Sequence, residues 1–136
     1  MKLASITVEE FSTPSPIKVK SNEKLSDIWK LMQTQSIRHV LVEDQNNIVG
    51  IVSERDITTF SQSEDFSSYV AQDVMSKDLL TASPETNLYD VALEMSEKKV
   101  GSTLVSDPGT DYLGIFTATD ALNALVEVLR GDLDQD

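Results

Sequence analysis

Ser53 and Asp56 stand three residues apart in Gly50-Ile51-Val52-Ser53-Glu54-Arg55-Asp56, where an apolar run gives way to a hydroxyl and a carboxylate. A hydroxyl donates one hydrogen bond and accepts others, whereas an ionised carboxylate only accepts. At the start of a helix the two groups can cap free backbone amides or hold the polar groups of a ligand. Thr117 and Asp120 repeat the arrangement in Gly114-Ile115-Phe116-Thr117-Ala118-Thr119-Asp120. A single occurrence reads as an N-cap and a first-turn acid. Two occurrences ask what the chain has duplicated.

The duplication is long. "LSDIWKLM" (25–32) aligns with "LYDVALEM" (88–95), with identities at Leu25/Leu88, Asp27/Asp90 and Met32/Met95, an offset of 88 minus 25, or 63. Leu41-Val42 and Asp44 keep that offset to Leu104-Val105 and Asp107. One extra residue in the turn "DPGTDY" then moves Gly50-Ile51 onto Gly114-Ile115, and brings Ser53 to Thr117 and Asp56 to Asp120. A slip confined to a Pro-Gly turn is what two structural copies produce, because turns absorb insertions and cores do not.

The elements that must position these residues follow from local periodicity. Leu25, Ile28, Trp29 and Met32 recur at helical spacing, as do Leu88, Val91, Ala92 and Met95. Ser21 and Asn22, and Ser83 with Thr86, offer oxygens to start these helices. "HVLVE" and "IVGIVS" flank "DQNN" and predict a hairpin, as "TLVS" and "YLGIFT" do around "DPGTD". A second helix follows each hairpin, short after Asp56 and longer after Asp120, where Leu122, Leu125, Val126 and Leu129 form an apolar stripe. Short extended pieces, "PIKV" and "LLTA", precede the first helices. The expected fold is α/β (α+β): two β-α-β-β-α repeats packed about a pseudo-two-fold axis, because about 60 residues bury too little apolar surface to stand alone. The expected division is 1–66 for the first repeat with its N-terminal segment, 67–130 for the second, and a frayed acidic tail at 131–136. Helical turns are expected at "YVAQDVM" and, as its counterpart, "TVEEF".

Composition removes several functions. The chain has 136 residues, no cysteine and one histidine, so disulfides, thiolate metal sites and cysteine nucleophiles are absent. No Gly-rich phosphate loop or Ser-His-Asp order occurs, and catalysis is not expected. A net charge of -12 opposes sequence-independent binding to nucleic acid or anionic membrane, which depends on clustered Lys and Arg. No apolar run approaches the ~20 residues of a membrane span, and the N-terminus turns acidic too early for a signal peptide. The sequence reads as cytoplasmic.

The segments from Thr13 to Ile57 and from Val74 to Leu122, in register and each ending in Gly-Ile-x-hydroxyl-x-x-Asp, resemble a tandem pair of cystathionine-β-synthase (CBS) domains, a Bateman module. The resemblance runs from about Val8 to Leu129. It implies a regulatory fold that binds an adenosine-containing ligand, such as AMP, ADP, ATP or S-adenosylmethionine, between its repeats, and that commonly forms a homodimer. No metal-ligand cluster occurs in the sequence, and no metal or further cofactor is expected. The Asp56 carboxylate would accept the vicinal hydroxyls of a ribose, and a Ser or Thr at the strand end would donate to phosphate beside the helix N-terminus. By the same resemblance one site comprises Ser53, Arg55 and Asp56 with Ser76, Leu79 and Thr81 from the leading strand of the other copy. The second comprises Thr117, Thr119 and Asp120 with Thr13, Pro16 and Lys18. Arg38 and His39 match positions that often carry basic groups directed at phosphate.

The two sites differ. Arg38, His39 and Arg55 in the first copy correspond to Gly101, Ser102 and Thr119 in the second. The Asp56 site is therefore expected to take a phosphorylated ligand, while the Asp120 site takes a nucleoside, shares Lys18 or stays empty. His39 has a second reading, as a solvent-facing residue ahead of an apolar run. Trp29 reads as core or dimer-face packing, and Asp107 with Asp111 as turn residues. Two functions follow: a free-standing adenosyl-ligand sensor that signals to an effector protein by altered packing, or a ligand-free structural interaction module whose dimer surface is its function.

Overall fold

A computed structural model describes residues 5–131. The expected frayed tail lies outside the described residues except for Gly131. The chain is mixed α+β and builds each repeat from the predicted elements. The first contributes β2 (Lys18–Lys20), α1 (Leu25–Gln35), β3 (His39–Asp44), β4 (Asn47–Ser53) and α2 (Glu54–Phe60). The second contributes β1 (Thr13–Pro14), β5 (Leu80–Ala82), α4 (Leu88–Lys98), β6 (Ser102–Ser106), β7 (Leu113–Thr117) and α5 (Ala118–Arg130). The two helical turns form as well, a 3-10 turn at Val8–Phe11 and α3 (Ala71–Val74).

In each repeat a parallel pair, β2 with β3 or β5 with β6, adjoins an antiparallel hairpin, β3 with β4 or β6 with β7. The β3–β4 turn places Gln45 and Asn46 at φ 50 and 68, the left-handed pair that a two-residue hairpin needs to match strand twist. Val42 pairs with Gly50 and Val105 with Gly114, so the net one-residue slip lies between these pairs; the next pairs, Glu43 with Ile48 and Ser106 with Leu113, show the turn two residues longer in the second hairpin and an extra residue in the ladder of the first. One sheet face meets the helices: Leu25, Ile28 and Met32 of α1 bury against Val40, Val42 and Val52, and Val91 and Met95 of α4 against Val105 and Phe116. Trp29 is half-buried against the first of these cores.

Two compact units result, and their membership crosses the expected boundary. One is Pro16–Asp78. The other joins the described N-terminal residues through Ser15 to those from Leu79 onward. Residues 67–78 thus close the first repeat, and the N-terminal segment closes the second. The expected cap oxygens show why. Neither Ser21 and Asn22 nor Ser83 and Thr86 cap a helix: the N-caps are Lys24 and Asn87, without side-chain cap bonds. Backbone from a distant segment does the work instead. Leu25 N–H donates to the Tyr69 carbonyl at 3.1 Å, and Leu88 N–H to the Ile6 carbonyl at 2.8 Å. Each helix start is completed by the crossover segment of its own unit, which satisfies amides that would otherwise be orphaned.

Candidate functional site

Ser53 ends β4 and is the N-cap of α2. Asp56 N–H donates to Ser53 Oγ at 3.1 Å, and Ser53 N–H donates to Asp56 Oδ2 at 2.9 Å. The pair is a reciprocal capping box. In the other unit, Thr117 N–H donates to Asp120 Oδ2 at 2.9 Å and Asp120 N–H to Thr117 Oγ1 at 3.3 Å. The capping reading of the hydroxyl-x-x-carboxylate spacing is thus realised twice.

The boxes differ by one proton. Thr117 Oγ1 also donates to Asp120 Oδ2 at 3.1 Å, so its only hydroxyl proton is engaged and that oxygen accepts two hydrogen bonds. Ser53 Oγ accepts a bond but donates none among the described residues, and Asp56 Oδ1 accepts none. Exposure separates the two hydroxyls and not the two acids: Thr117 is buried and Ser53 half-buried, while Asp56 and Asp120 are both half-buried. Among the described residues each acid keeps an unengaged Oδ1, and the boxes differ in the hydroxyl alone: Ser53 keeps a donor for a ligand, and the Thr117 hydroxyl is closed on its own acid.

The basic positions gather on the same helix start. The Arg38 carbonyl accepts the Glu54 N–H at 2.8 Å, as the Gly101 carbonyl accepts the Ala118 N–H at 3.0 Å. His39 lies directly opposite Ser53 in the β3–β4 register, so their side chains share a sheet face. It is half-buried. Ser102 holds the equivalent place opposite Thr117. Arg55 is the second residue of α2. Arg38 and Arg55 are exposed, and neither is in an ion pair among the described residues. The equivalent positions Gly101, Ser102 and Thr119 carry no cation. An acid, Glu54, sits at the first position of α2 and accepts from Gln33 Nε2 at 3.4 Å.

The remaining expected site residues do not group as their sequence order suggests. Ser76 was expected with Leu79 and Thr81 in the leading strand of the other copy, yet it exchanges backbone hydrogen bonds with Ile51 at 2.9 and 3.1 Å, inside the unit that holds Ser53 and Asp56. Leu79 and Thr81 belong to the other unit, where Thr81 pairs with Leu104. Thr13 was expected with Pro16 and Lys18, and pairs instead with Ile115, in the unit of Thr117 and Asp120. Pro16 and Lys18 fall in the Asp56 unit, Lys18 opposite Leu41. The chain thus runs along the edge of one sheet before it enters the other.

The repeated Gly-Ile carries the signal for that path. A Cβ on Gly50 would lie 2.5 Å from Met75 Sδ and 3.0 Å from Met75 Cβ. A Cβ on Gly114 would lie 2.7 Å from Tyr112 Oη and 3.1 Å from the Thr13 carbonyl oxygen. Gly50 makes room for Met75 of the segment that crosses the strand, and Gly114 for the Tyr112 ring of its own hairpin arm and the Thr13 carbonyl. Met75 and Tyr112, the latter bonded through Oη to Ser12 Oγ at 2.7 Å, are packing residues over these strands that local pattern does not single out. Asp107 is the turn residue expected of it, its Oδ1 accepting the Gly109 N–H at 2.9 Å.

Comparison with known proteins follows this architecture. The CBS domain family model matches residues 8–63 and again 70–127. An acetoin-utilization-type protein (AcuB) from Vibrio cholerae superposes with a TM-score of 0.78 at 29% identity, covering 94% of this chain and 97% of that one. CBSX2, a CBS-pair protein from Arabidopsis thaliana, has been solved in complex with AMP; that structure superposes with a TM-score of 0.72 at 27% identity over 90% of this chain and 98% of its own. An uncharacterized protein of Methanocaldococcus jannaschii is 26% identical over 125 residues, 92% of this chain and 40% of its own length. The chain therefore spans less than half of that relative.

Proposed function

We propose, from the premise that this chain belongs to the CBS domain family, that it is a regulatory module whose Asp56 helix start binds an adenosine-containing ligand, with AMP as the first candidate. The observation that carries the reading is the difference between the two capping boxes. Both acids keep an unengaged Oδ1 among the described residues, but only Ser53 retains a free hydroxyl proton beside it, whereas the Thr117 proton is engaged by Asp120. Asp56 Oδ1 accepts a ribose hydroxyl, the Ser53 hydroxyl donates to phosphate, Arg38 and Arg55 supply positive charge, and His39 offers a ring N–H donor. The net charge of -12 makes those cations necessary for any phosphorylated ligand. The AMP complex of CBSX2 supports the ligand class. The module acts without catalysis, as a homodimer in the cytoplasm, and passes ligand occupancy to an effector protein through altered packing.

Thermal denaturation with AMP, ATP, S-adenosylmethionine and adenosine tests the reading. A ligand at 100 times its dissociation constant adds about 2.7 kcal/mol. No shift with any of the four at millimolar concentration sinks it.

A second reading, a ligand-free interaction module, draws on the apolar side chains exposed along α4 and α5. Pull-down with wild type and Asp56→Ala, each with and without AMP, separates the two. A ligand-free module keeps the same partners in all four conditions, whereas a sensor loses its response to AMP in the variant.

A further inference from the structure

A recess of about 220 Å³ opens beside β2, an edge strand of the three-stranded sheet, and the first turns of α1. Five charged side chains line it, and only two of them are paired: Lys20 Nζ lies 3.2 Å from Glu43 Oε1. Lys18, Glu23 and Asp27 have no ion pair and no side-chain hydrogen bond among the described residues. Ile28 and Leu31 of α1 add an apolar strip. The fold does not require this set. The positions 63 residues on carry Thr81, Ser83, Thr86, Glu94 and Ser106 in place of Lys18, Lys20, Glu23, Leu31 and Glu43, and there the Ser83 and Thr86 hydroxyls bond each other at 2.9 Å. Of the charged groups only Asp27 recurs, as Asp90, and both stand in the first turn of their helix, where an acid meets the positive end of the dipole. The two repeats build the same elements, and the charged recess belongs to one of them.

We infer that this recess binds a free basic α-amino acid of lysine or ornithine size. The unpaired groups are two carboxylates and one ammonium, and the ligand that answers them carries two ammonium groups and one carboxylate. A diamino acid has that charge set at neutral pH. Its carboxylate meets Lys18, its ammonium groups meet Glu23 and Asp27, and its methylene chain lies on Ile28 and Leu31, as long cationic side chains lie on apolar surface. Glu23 is half-buried, which strengthens its attraction for a cation relative to open water. A volume of about 220 Å³ is below that of sites for drug-sized ligands and suits a small metabolite. A nucleotide phosphate would set its charge against both acids with one lysine to compensate. A metal ion is not favoured either, since no group of three acids among the described residues is placed to hold one. The family resemblance implied Lys18 for the Asp120 site, whereas here it lines one recess with Glu23 and Asp27. The inference stands apart from the adenosyl reading: Asp56 follows β4, and β3 separates β4 from β2.

Isothermal titration calorimetry of the full chain with L-lysine, L-ornithine, norleucine and cadaverine tests the inference, with thermal denaturation as a second readout. L-lysine or L-ornithine is expected to bind with a dissociation constant of about 1 mM or lower. Norleucine lacks the second ammonium and cadaverine lacks the carboxylate, so each is expected to bind roughly tenfold or more weakly than L-lysine. Glu23→Gln and Lys18→Met remove one charge each at side chains that bond to nothing in the fold, and each is expected to weaken L-lysine binding roughly tenfold or more. AMP affinity in Glu23→Gln is expected to stay within about twofold, as for sites without shared partners. Neither heat nor a rise in unfolding temperature with either diamino acid at about 10 mM overturns the site. Norleucine and cadaverine binding as tightly as L-lysine overturn the recognition by three charges, and an L-lysine affinity unchanged in both variants overturns the assigned recess. An AMP affinity that falls together with that for L-lysine in Glu23→Gln overturns its separation from the Asp56 site.

Discussion

Ser53 and Thr117 hold equivalent N-cap positions, yet only Thr117 donates its hydroxyl proton to the carboxylate three residues on, at 3.1 Å. One side-chain hydrogen bond thus separates a helix cap closed on itself from one with a donor to offer. Two copies of one motif can share a fold and diverge in ligand chemistry through such a change, because the backbone bonds that build the helix start are the same in both.

The acid of the open box carries the first expectation. Asp56→Ala removes both the cap acceptor and the ribose acceptor. It is expected to lower stability by about 0.5–2 kcal/mol and to weaken AMP binding at least tenfold by calorimetry. Asp120→Ala costs similar stability and leaves AMP affinity within about twofold. Equal losses of affinity in both variants would show that the boxes are equivalent as ligand sites.

Charge near the open box gives the second. A hydrogen bond to a charged group contributes about 1.5–3 kcal/mol, so Arg38→Ala and Arg55→Ala each reduce AMP affinity by roughly tenfold or more. Adenosine has no phosphate for them to meet, and its affinity should stay within about twofold in both. Parallel titrations of AMP and adenosine at one ionic strength provide the check.

A buried hydroxyl without a partner supplies the third. Thr103 is 1% exposed, and its Oγ1 has no hydrogen-bond partner among the described residues, while the matching residue of the first repeat is Val40. Thr103→Val keeps the shape and removes the desolvation cost of an unpaired polar group, so unfolding free energy is expected to rise by about 1 kcal/mol or more. Urea denaturation measures it, and an unchanged or lower midpoint contradicts the account.

Contact between Gly50 and Met75 supplies the fourth. Gly50→Ala forces its new methyl against Met75 Sδ and Cβ and is expected to cost about 1–3 kcal/mol. Met75→Ala opens that space, so the double variant should be more stable than the sum of the single losses. A double-mutant cycle reads the coupling, and additive losses would place the strain elsewhere.

Much of this molecule is legible along the chain. The 63-residue repeat, both amphipathic helices, both hairpins and the two hydroxyl-x-x-carboxylate helix starts come from periodicities of 2 and 3.6 and from turn chemistry, all of which act between near neighbours. The imbalance of cations between Arg38, His39, Arg55 and Gly101, Ser102, Thr119 is likewise written in the residues.

Tertiary structure decided the rest, because it depends on groups far apart in sequence or on backbone atoms that every residue shares. Only folding shows that the segment through Ser15 completes the second repeat and that Ser76 returns to Ile51 of the first. Those pairings are made by main-chain bonds with no side-chain signature except the glycines they cross. The same holds for the helix starts at Leu25 and Leu88, which take distant carbonyls in place of neighbouring hydroxyls. It holds too for the Thr117 hydroxyl, since sequence specifies which donors and acceptors exist and the packed chain determines where each proton points.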